Sequence, residues 1–107
     1  MKLSWHDEME TYRRWALVDD EHGGVLATVW EFMQRHAGKA HWRYDVRVKA
    51  TLTNHVGRVG EWLDAGTFDL PAGTPIEKAL ETARRAVEVA DAAHRLGTLY
   101  PVWDSSR

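Results

Sequence analysis

The segment from Trp42 to Leu52 constrains the fold more than any other part of this sequence. Within its run WRYDVRVKATL, every even-numbered residue is apolar and every odd-numbered residue is polar. This period of two is typical of a β-strand with one face in a core and the other in water. The segment therefore predicts a strand that buries Trp42 and its even-numbered neighbours.

Two hairpins are predicted around that strand. Residues 12–32 contain two apolar runs separated by DDEHGG, and both faces of the second run, Val25 to Phe32, are apolar, which favours a central strand. Residues 42–69 predict a second hairpin with a loop at 53–58, a strand at 59–68 and a bulge at Gly66. Residues 33–41 are expected to form a mobile polar connection, and residues 1–11 fit either a short strand or a helical turn.

A helix over residues 74–96 follows the predicted sheet. Thr74 is expected to cap it, with Pro75 at the first helical position and Glu77 at the third. Its apolar residues recur at helical spacing and predict a stripe that packs on the sheet, while Gly97 predicts its end. The apolar segment 98–103 is expected to pack back on the core. The predicted class is α+β, with a four-stranded antiparallel sheet followed by one long C-terminal helix on one face.

Composition narrows the functional classes. The chain has 107 residues, of which 44% are hydrophobic, so residues 1–107 are expected to form a single domain with its own core. It contains six tryptophans, no cysteine and a formal net charge of -2, so thiol chemistry is excluded and a wholly polyanion-binding surface is disfavoured. No segment suits a membrane span or a signal peptide, and a soluble cytoplasmic protein is expected.

Catalytic and metal-binding signatures are weak. The serines lie near the ends of the chain and have no nucleophile motif around them. His36 and His41 flank a glycine and lack the spacing of a ligand pair, and His22 lies in an acidic turn. Asp64 and Asp69 are better explained as turn and edge residues than as paired catalytic carboxylates. We therefore predict no enzyme, no metal site and no cofactor.

The polar face of the Trp42 to Leu52 strand is the best candidate surface. Arg43, Arg47 and Lys49 point to one side, and Arg58 and Trp62 are expected across from them on the neighbouring strand. Cations beside an aromatic ring can bind phosphates and bases, or an acidic protein partner. An ordinary hydrated sheet face would have the same pattern.

Part of this pattern resembles the ethylene-response-factor type of DNA-binding domain and its relatives at the N-termini of phage integrases. The resemblance rests on RHAGK at 35–39, on Trp42, Arg47 and Trp62, and on GTFD at 66–69 before an alanine-rich helix. Those domains have three antiparallel strands and a helix, and they read DNA from the sheet. The resemblance implies that Arg35, Arg47 and Trp62 face DNA.

The layout as a whole resembles small orphan proteins of bacteriophages and mobile elements, anti-CRISPR inhibitors among them. It implies a protein that binds and blocks a host protein, and tryptophan is enriched at such interfaces. Our leading hypothesis is a non-enzymatic binding protein of this type, with a nucleic-acid-binding module as the alternative and a homodimer also possible. Its expected binding residues are Arg43, Arg47, Lys49, Arg58, Trp62 and Arg35.

Overall fold

The computed structural model describes residues 2–8, 13–36 and 38–97, and for residues 34–36 it describes the backbone alone. Its elements are β1 (Leu3–Asp7), β2 (Arg13–Asp19), β3 (Val25–His36), β4 (Lys39–Lys49), β5 (Trp62–Pro71) and α1 (Ile76–Arg95). The strands form one antiparallel sheet in the order β1-β2-β3-β4-β5. The α+β class with a C-terminal helix is confirmed, with five strands where four were expected. The fifth strand is β1, in a segment for which the sequence left two interpretations open.

The alternation in β4 decides which side of the sheet becomes the core. Tyr44, Val46 and Val48 are buried, and they pack with the buried alanines and Val87 of α1. The intervening polar residues therefore lie on the opposite side, as the period of two predicts. Trp42 lies on the helix side but is only half-buried.

Helix α1 packs on β4, β5 and β3 through a narrow stripe. Its buried residues are Ala79, Ala83, Val87, Ala90 and His94. Three of the five are alanines and one is a valine, and these short side chains let the helix approach the sheet closely. The stripe also contains one residue that the apolar pattern did not include, His94, whose ring nitrogen Nε2 is 2.8 Å from the carbonyl oxygen of Leu52.

The predicted capping box at the start of α1 is wrong. Pro75 has a ψ of 139°, so it is the flanking residue and not the first helical one. The hydroxyl of Thr74 donates to the carbonyl of Pro71 at 2.6 Å and caps no helical N–H group. The other end agrees with the sequence: Gly97 has a φ of 70°, and its N–H donates to the carbonyl of His94.

The connection expected at residues 33–41 is mostly strand. Strands β3 and β4 remain paired from Met33 opposite Trp42 to His36 opposite Lys39, and Gly38 reverses the chain with a φ of 78°. The polar composition of this segment misled the prediction, because a hairpin that extends beyond its core needs only backbone pairing and tolerates polar side chains.

Strand β5 begins and ends later than the expected 59–68. Residues 50–61 form the preceding loop. Two backbone hydrogen bonds close it: the N–H of Gly60 donates to the carbonyl of Ala50, and the N–H of Ala50 donates to the carbonyl of Glu61. The bulge at Gly66 is confirmed: Val46 pairs with Gly66 and Arg47 with Asp64, so Ala65 is the additional residue. Gly66 has a φ of 104°, which explains why glycine suits this position.

Residues 98–103, expected to pack on the core, lie outside the described residues. Within the described ranges, no helix has both the length and the apolar character needed to cross a bilayer.

Candidate functional site

The side of the sheet opposite α1 is the main candidate surface, and we call it the open face. α1 is the one helix in the described part of the chain, so this side has no helix over it there. Residues paired across antiparallel strands point to the same side, which defines the face from the pairing alone. Its members on β2 to β5 include Arg14, Ala16, Thr28, Trp30, Phe32, His41, Arg43, Asp45, Arg47, Lys49, Trp62, Asp64, Thr67, Asp69 and Pro71.

Strand β4 contributes the cations predicted from the sequence. Arg43 donates from Nε to Asp45 at 2.9 Å, and Arg47 is exposed. Lys49 lies directly opposite Trp62, with its Nζ 5.2 Å from the centre of the ring. Trp62 is 42% exposed, so this cation–π pair is open to a binding partner. Four of the six predicted binding residues are thus brought together.

Strand β5 places acidic groups beside those cations. Asp69 pairs with Arg43 across the strands, and Asp64 pairs with Arg47. Asp64 also accepts a hydrogen bond from the N–H of Gly66 at 2.9 Å, which holds its carboxylate at the bulge. The basic row of β4 therefore has an acidic row along one side.

Strands β2 and β3 place an aromatic row on the other side of the cations. Trp30 lies opposite Asp45, and Phe32 lies opposite Arg43, and both rings are half-buried. The guanidinium group of Arg14 lies 4.8 Å from the centre of the Trp30 ring and forms a 2.8 Å ion pair with Glu8. Sequence reasoning placed Trp30 and Phe32 on one face of β3 but did not connect them with the cations, because that step needs the register of β3 on β4.

Two predicted binding residues are not placed with the others. Arg58 lies exposed in the loop at residues 50–61, where its carbonyl accepts from Glu61, and not on the strand beside Lys49. Its predicted position is wrong because β5 begins only at Trp62. Arg35 lies in β3 opposite Ala40, and its side chain is outside the described residues.

A buried polar cluster on the helix side was missed by sequence reasoning. The hydroxyl of Tyr44 donates to Glu31 at 2.6 Å, and Arg13 forms a 2.9 Å ion pair with the same carboxylate. The Arg13 guanidinium also lies 5.2 Å from the ring centre of Trp15 and 5.7 Å from that of Trp42. Burial, then the hydrogen bond to Glu31 and the charge of that carboxylate, raises the pKa of Tyr44 above its ordinary range. Every carboxylate oxygen is engaged, so the cluster joins β2, β3 and β4.

The acidic turn after β2 brings three possible metal ligands together. One ligand atom from each of Asp19, Glu21 and His22 lies within 4.8 Å of the others. Asp19 accepts hydrogen bonds from the backbone N–H groups of Glu21 and His22 and contacts the His22 ring at 2.9 Å. These bonds account for the geometry as an aspartate-stabilised turn.

A serine, a histidine and an aspartate also meet where β1 lies beside that turn. Ser4 donates to Asp20 at 2.5 Å, and His6 Nε2 lies 3.0 Å from Ser4 Oγ and 3.1 Å from Asp20. The hydrogen bonds from Ser4 and then His6 lower the pKa of Asp20. Both contacts use the same ring nitrogen, and the hydroxyl proton points at the carboxylate. The arrangement therefore differs from a catalytic triad, in which the histidine lies between the other two groups.

A groove of about 240 Å³ lies between α1 and the first four strands. Its floor is apolar, formed by Leu3, Leu17, Leu26 and Val48 with Val87 of the helix. Charged helix residues line its rim, and Arg95 is ion-paired with Asp91 at 3.0 Å. Lys49 and Thr51 from the sheet side also line the groove.

Comparison of the chain with protein-family models, curated proteins and solved structures finds no match.

Proposed function

We propose that this chain is a non-enzymatic binding protein of the phage or mobile-element type, which acts by binding a host protein as an inhibitor or modulator. The binding surface is the open face. The observation that supports it is the arrangement of that face in three adjoining rows, aromatic on β3, basic on β4 and acidic on β5.

This arrangement suits a protein partner. Half-buried rings provide apolar contact area at the centre of a protein interface, and tryptophan and arginine are enriched among residues that dominate binding energy. Rows of opposite charge beside the rings then fix the register of the partner, because a shifted partner would place like charges together. Trp30, Arg47 and Trp62 are the residues we expect to contribute most.

Nucleic-acid binding is the alternative function, and one local feature favours it. Trp62 is exposed beside Lys49, with Arg47 one position further along the same side of β4. An exposed ring next to cations can stack on a base while the cations contact phosphates. Asp64 and Asp69 oppose this function, because phosphates that follow the basic row would pass close to both carboxylates.

Affinity capture with a pair of charge-reversal variants tests the leading proposal. Arg47→Glu changes the open face, and Arg85→Glu makes the same change on the exposed surface of α1. We expect the wild-type chain and Arg85→Glu to retain the same protein from a bacterial host lysate, and Arg47→Glu to lose it. A partner retained equally by all three, or lost only with Arg85→Glu, would show that the open face is not the binding surface.

Titration with nucleic acid separates the alternative from the leading proposal. A nucleic-acid-binding module would bind single-stranded or duplex DNA at low salt, lose affinity steeply as salt increases, and bind more weakly after Arg47→Ala. The leading proposal predicts no such binding at low salt. Binding that shows the salt dependence and the Arg47 dependence would reverse the order of the two functions.

A further inference from the structure

We propose that a second copy of this chain pairs with the outer edge of β1, antiparallel and centred on Trp5, so that two sheets join into one sheet of ten strands. This inference goes beyond the proposed function and does not depend on it. It concerns a surface that is separate from the rows of the open face.

The direction of the backbone groups in β1 supports this pairing. The carbonyl of Lys2 accepts from Asp20, and the N–H of Glu8 donates to Arg14, so the even-numbered residues direct their backbone groups toward β2. Because neighbouring residues in a strand alternate, Leu3 and Trp5 direct their N–H and C=O groups away from β2. Two copies of β1 centred on Trp5 place the outward groups of the two Trp5 residues opposite each other, as an antiparallel ladder requires, and bring Leu3 of each copy opposite Asp7 of the other.

The two edges of the sheet differ in how well they resist such pairing. Strand β5 carries Asp64, Asp69, a bulge at Gly66 and a terminal Pro71, and each of these hinders strand addition. A second copy at β5 would also bring acidic residues together without a cation on that strand. Strand β1 is regular over Leu3–Asp7 and contains neither proline nor glycine.

The side chains that flank β1 complement those of a second copy. Pairing centred on Trp5 places Lys2 opposite Glu8 of the second copy, and the two-fold axis repeats this pair. Ser4 lies opposite His6 of the second copy, on the side of the open face. Lys2 therefore meets an acidic residue at both ends, and that residue, Glu8, also holds its ion pair with Arg14 of its own copy.

On the helix side, the described residues leave the outer edge of β1 partly exposed. α1 packs on β4, β5 and β3, and Leu3 and Trp5 are only half-buried at the sheet edge. In the proposed dimer the two Trp5 rings become cross-strand neighbours, and cross-strand aromatic pairs stabilise antiparallel sheets. The contact area of a five-residue strand is small, so we expect a weak dimer whose population depends on concentration.

Sedimentation and cysteine cross-linking test the proposal. The chain has no cysteine, so each introduced thiol is unique. Directly opposed residues in a hydrogen-bonded antiparallel pair lie about 5.5 Å apart between Cα atoms, within the range that a disulfide spans. We expect a monomer–dimer equilibrium at concentrations up to about 1 mM, rapid oxidation of Trp5→Cys to a disulfide-linked dimer, and no dimer with Thr67→Cys on β5.

Charge reversal provides a second test that leaves the core unchanged. Lys2→Glu should weaken the dimer about tenfold, because it places like charges together twice. The combined Lys2→Glu and Glu8→Lys variant should dimerise more tightly than Glu8→Lys alone. Both of these variants lack the ion pair between Glu8 and Arg14 within one copy, so their comparison isolates the contact between copies. A monomer at every concentration would overturn the proposal. So would cross-linking through Thr67→Cys in place of Trp5→Cys, or charge variants whose affinities equal that of the wild-type chain.

Discussion

The contact between Tyr44 and Glu31 is the most demanding interaction at the scale of single residues. Glu31 is only 8% exposed and lies within a strand whose neighbours on that side are apolar. A buried carboxylate is costly unless hydrogen bonds and a countercharge offset its lost hydration. The Tyr44 hydroxyl and the Arg13 guanidinium supply both, so this side of the sheet tolerates an acidic residue.

We predict that Tyr44→Phe destabilises the fold by about 1.5–3 kcal/mol, the cost of removing a hydrogen bond to a charged buried group. Denaturant unfolding at neutral pH measures this change. Thr82→Ala is the control, because it removes a 2.9 Å hydrogen bond from an exposed part of α1 to the carbonyl of Lys78. That control should change stability by no more than about 0.5 kcal/mol.

The stability difference between the wild type and Tyr44→Phe also has a predicted pH dependence. The pKa of Tyr44 is raised in the folded chain, so the folded chain holds this proton more tightly than the unfolded chain does. The resulting stabilisation is complete below the ordinary tyrosine pKa of about 10 and is lost as the pH rises above it. The stability difference between the wild type and Tyr44→Phe should therefore shrink in alkaline solution. A difference that stays constant or grows would contradict the raised pKa of the buried Tyr44 hydroxyl.

For single residues, the alternation of apolar and polar residues predicted which side chains are buried, but it did not predict which side chains contact each other. The burial of Tyr44, Val46 and Val48 follows from a pattern within eleven residues of sequence. The contact between Tyr44 and Glu31 depends on the pairing of β3 with β4. Hydrophobic periodicity within one segment cannot predict a buried carboxylate whose partner lies on another strand.

The bulge at Gly66 is the element that determines which residues of β5 reach the open face. Before it, the even-numbered Trp62 and Asp64 lie on that face, and after it the odd-numbered Thr67 and Asp69 do. Without the additional residue, Phe68 would leave the core and Asp69 would enter it. A single glycine with a positive φ thus aligns the acidic row with the basic row of β4.

We predict that Gly66→Ala destabilises the fold by about 1–3 kcal/mol, since an L-residue is strained at a φ of 104°. Gly24→Ala is the matched control, because Gly24 lacks a positive φ and an added methyl group would meet no atom within 4 Å. Thermal unfolding of both variants checks the difference. Equal stability of the two variants would show that the conformation of Gly66 is not what the bulge requires.

Residue spacing within one element predicted β2 to β5, the helix and the bulge correctly. The weaker signals at the ends of these elements placed several of their boundaries wrongly. The alternating strand, the alanine-rich helix and the Gly66 bulge each follow from spacing within one element. The capping box at Thr74 failed because Pro75 keeps an extended ψ, a choice made by the preceding turn. The pairing of residues 33–41 was missed because backbone hydrogen bonds there carry no side-chain signature.

At the scale of the whole molecule, the described residues form a five-stranded sheet with α1 on one side and no described helix on the other. Three strands supply three kinds of side chain to the open face, and their order follows from the sequential order of strands in the sheet. From the sequence, the basic row was predicted with Trp62 beside it. The aromatic and acidic rows become parts of the same surface only when the registers of β3 and β5 on β4 are known.

The central claim is that the open face is the surface that binds a protein partner. Its most direct test is a titration of the captured partner with the wild-type chain and two truncations of exposed apolar residues. Trp62→Ala changes the open face, and Val89→Ala changes the outer surface of α1, where Val89 is 66% exposed. We predict that Trp62→Ala weakens binding by about tenfold or more, as expected for a tryptophan at an interface centre, while Val89→Ala leaves it unchanged. An affinity that survives Trp62→Ala and falls with Val89→Ala would contradict the account.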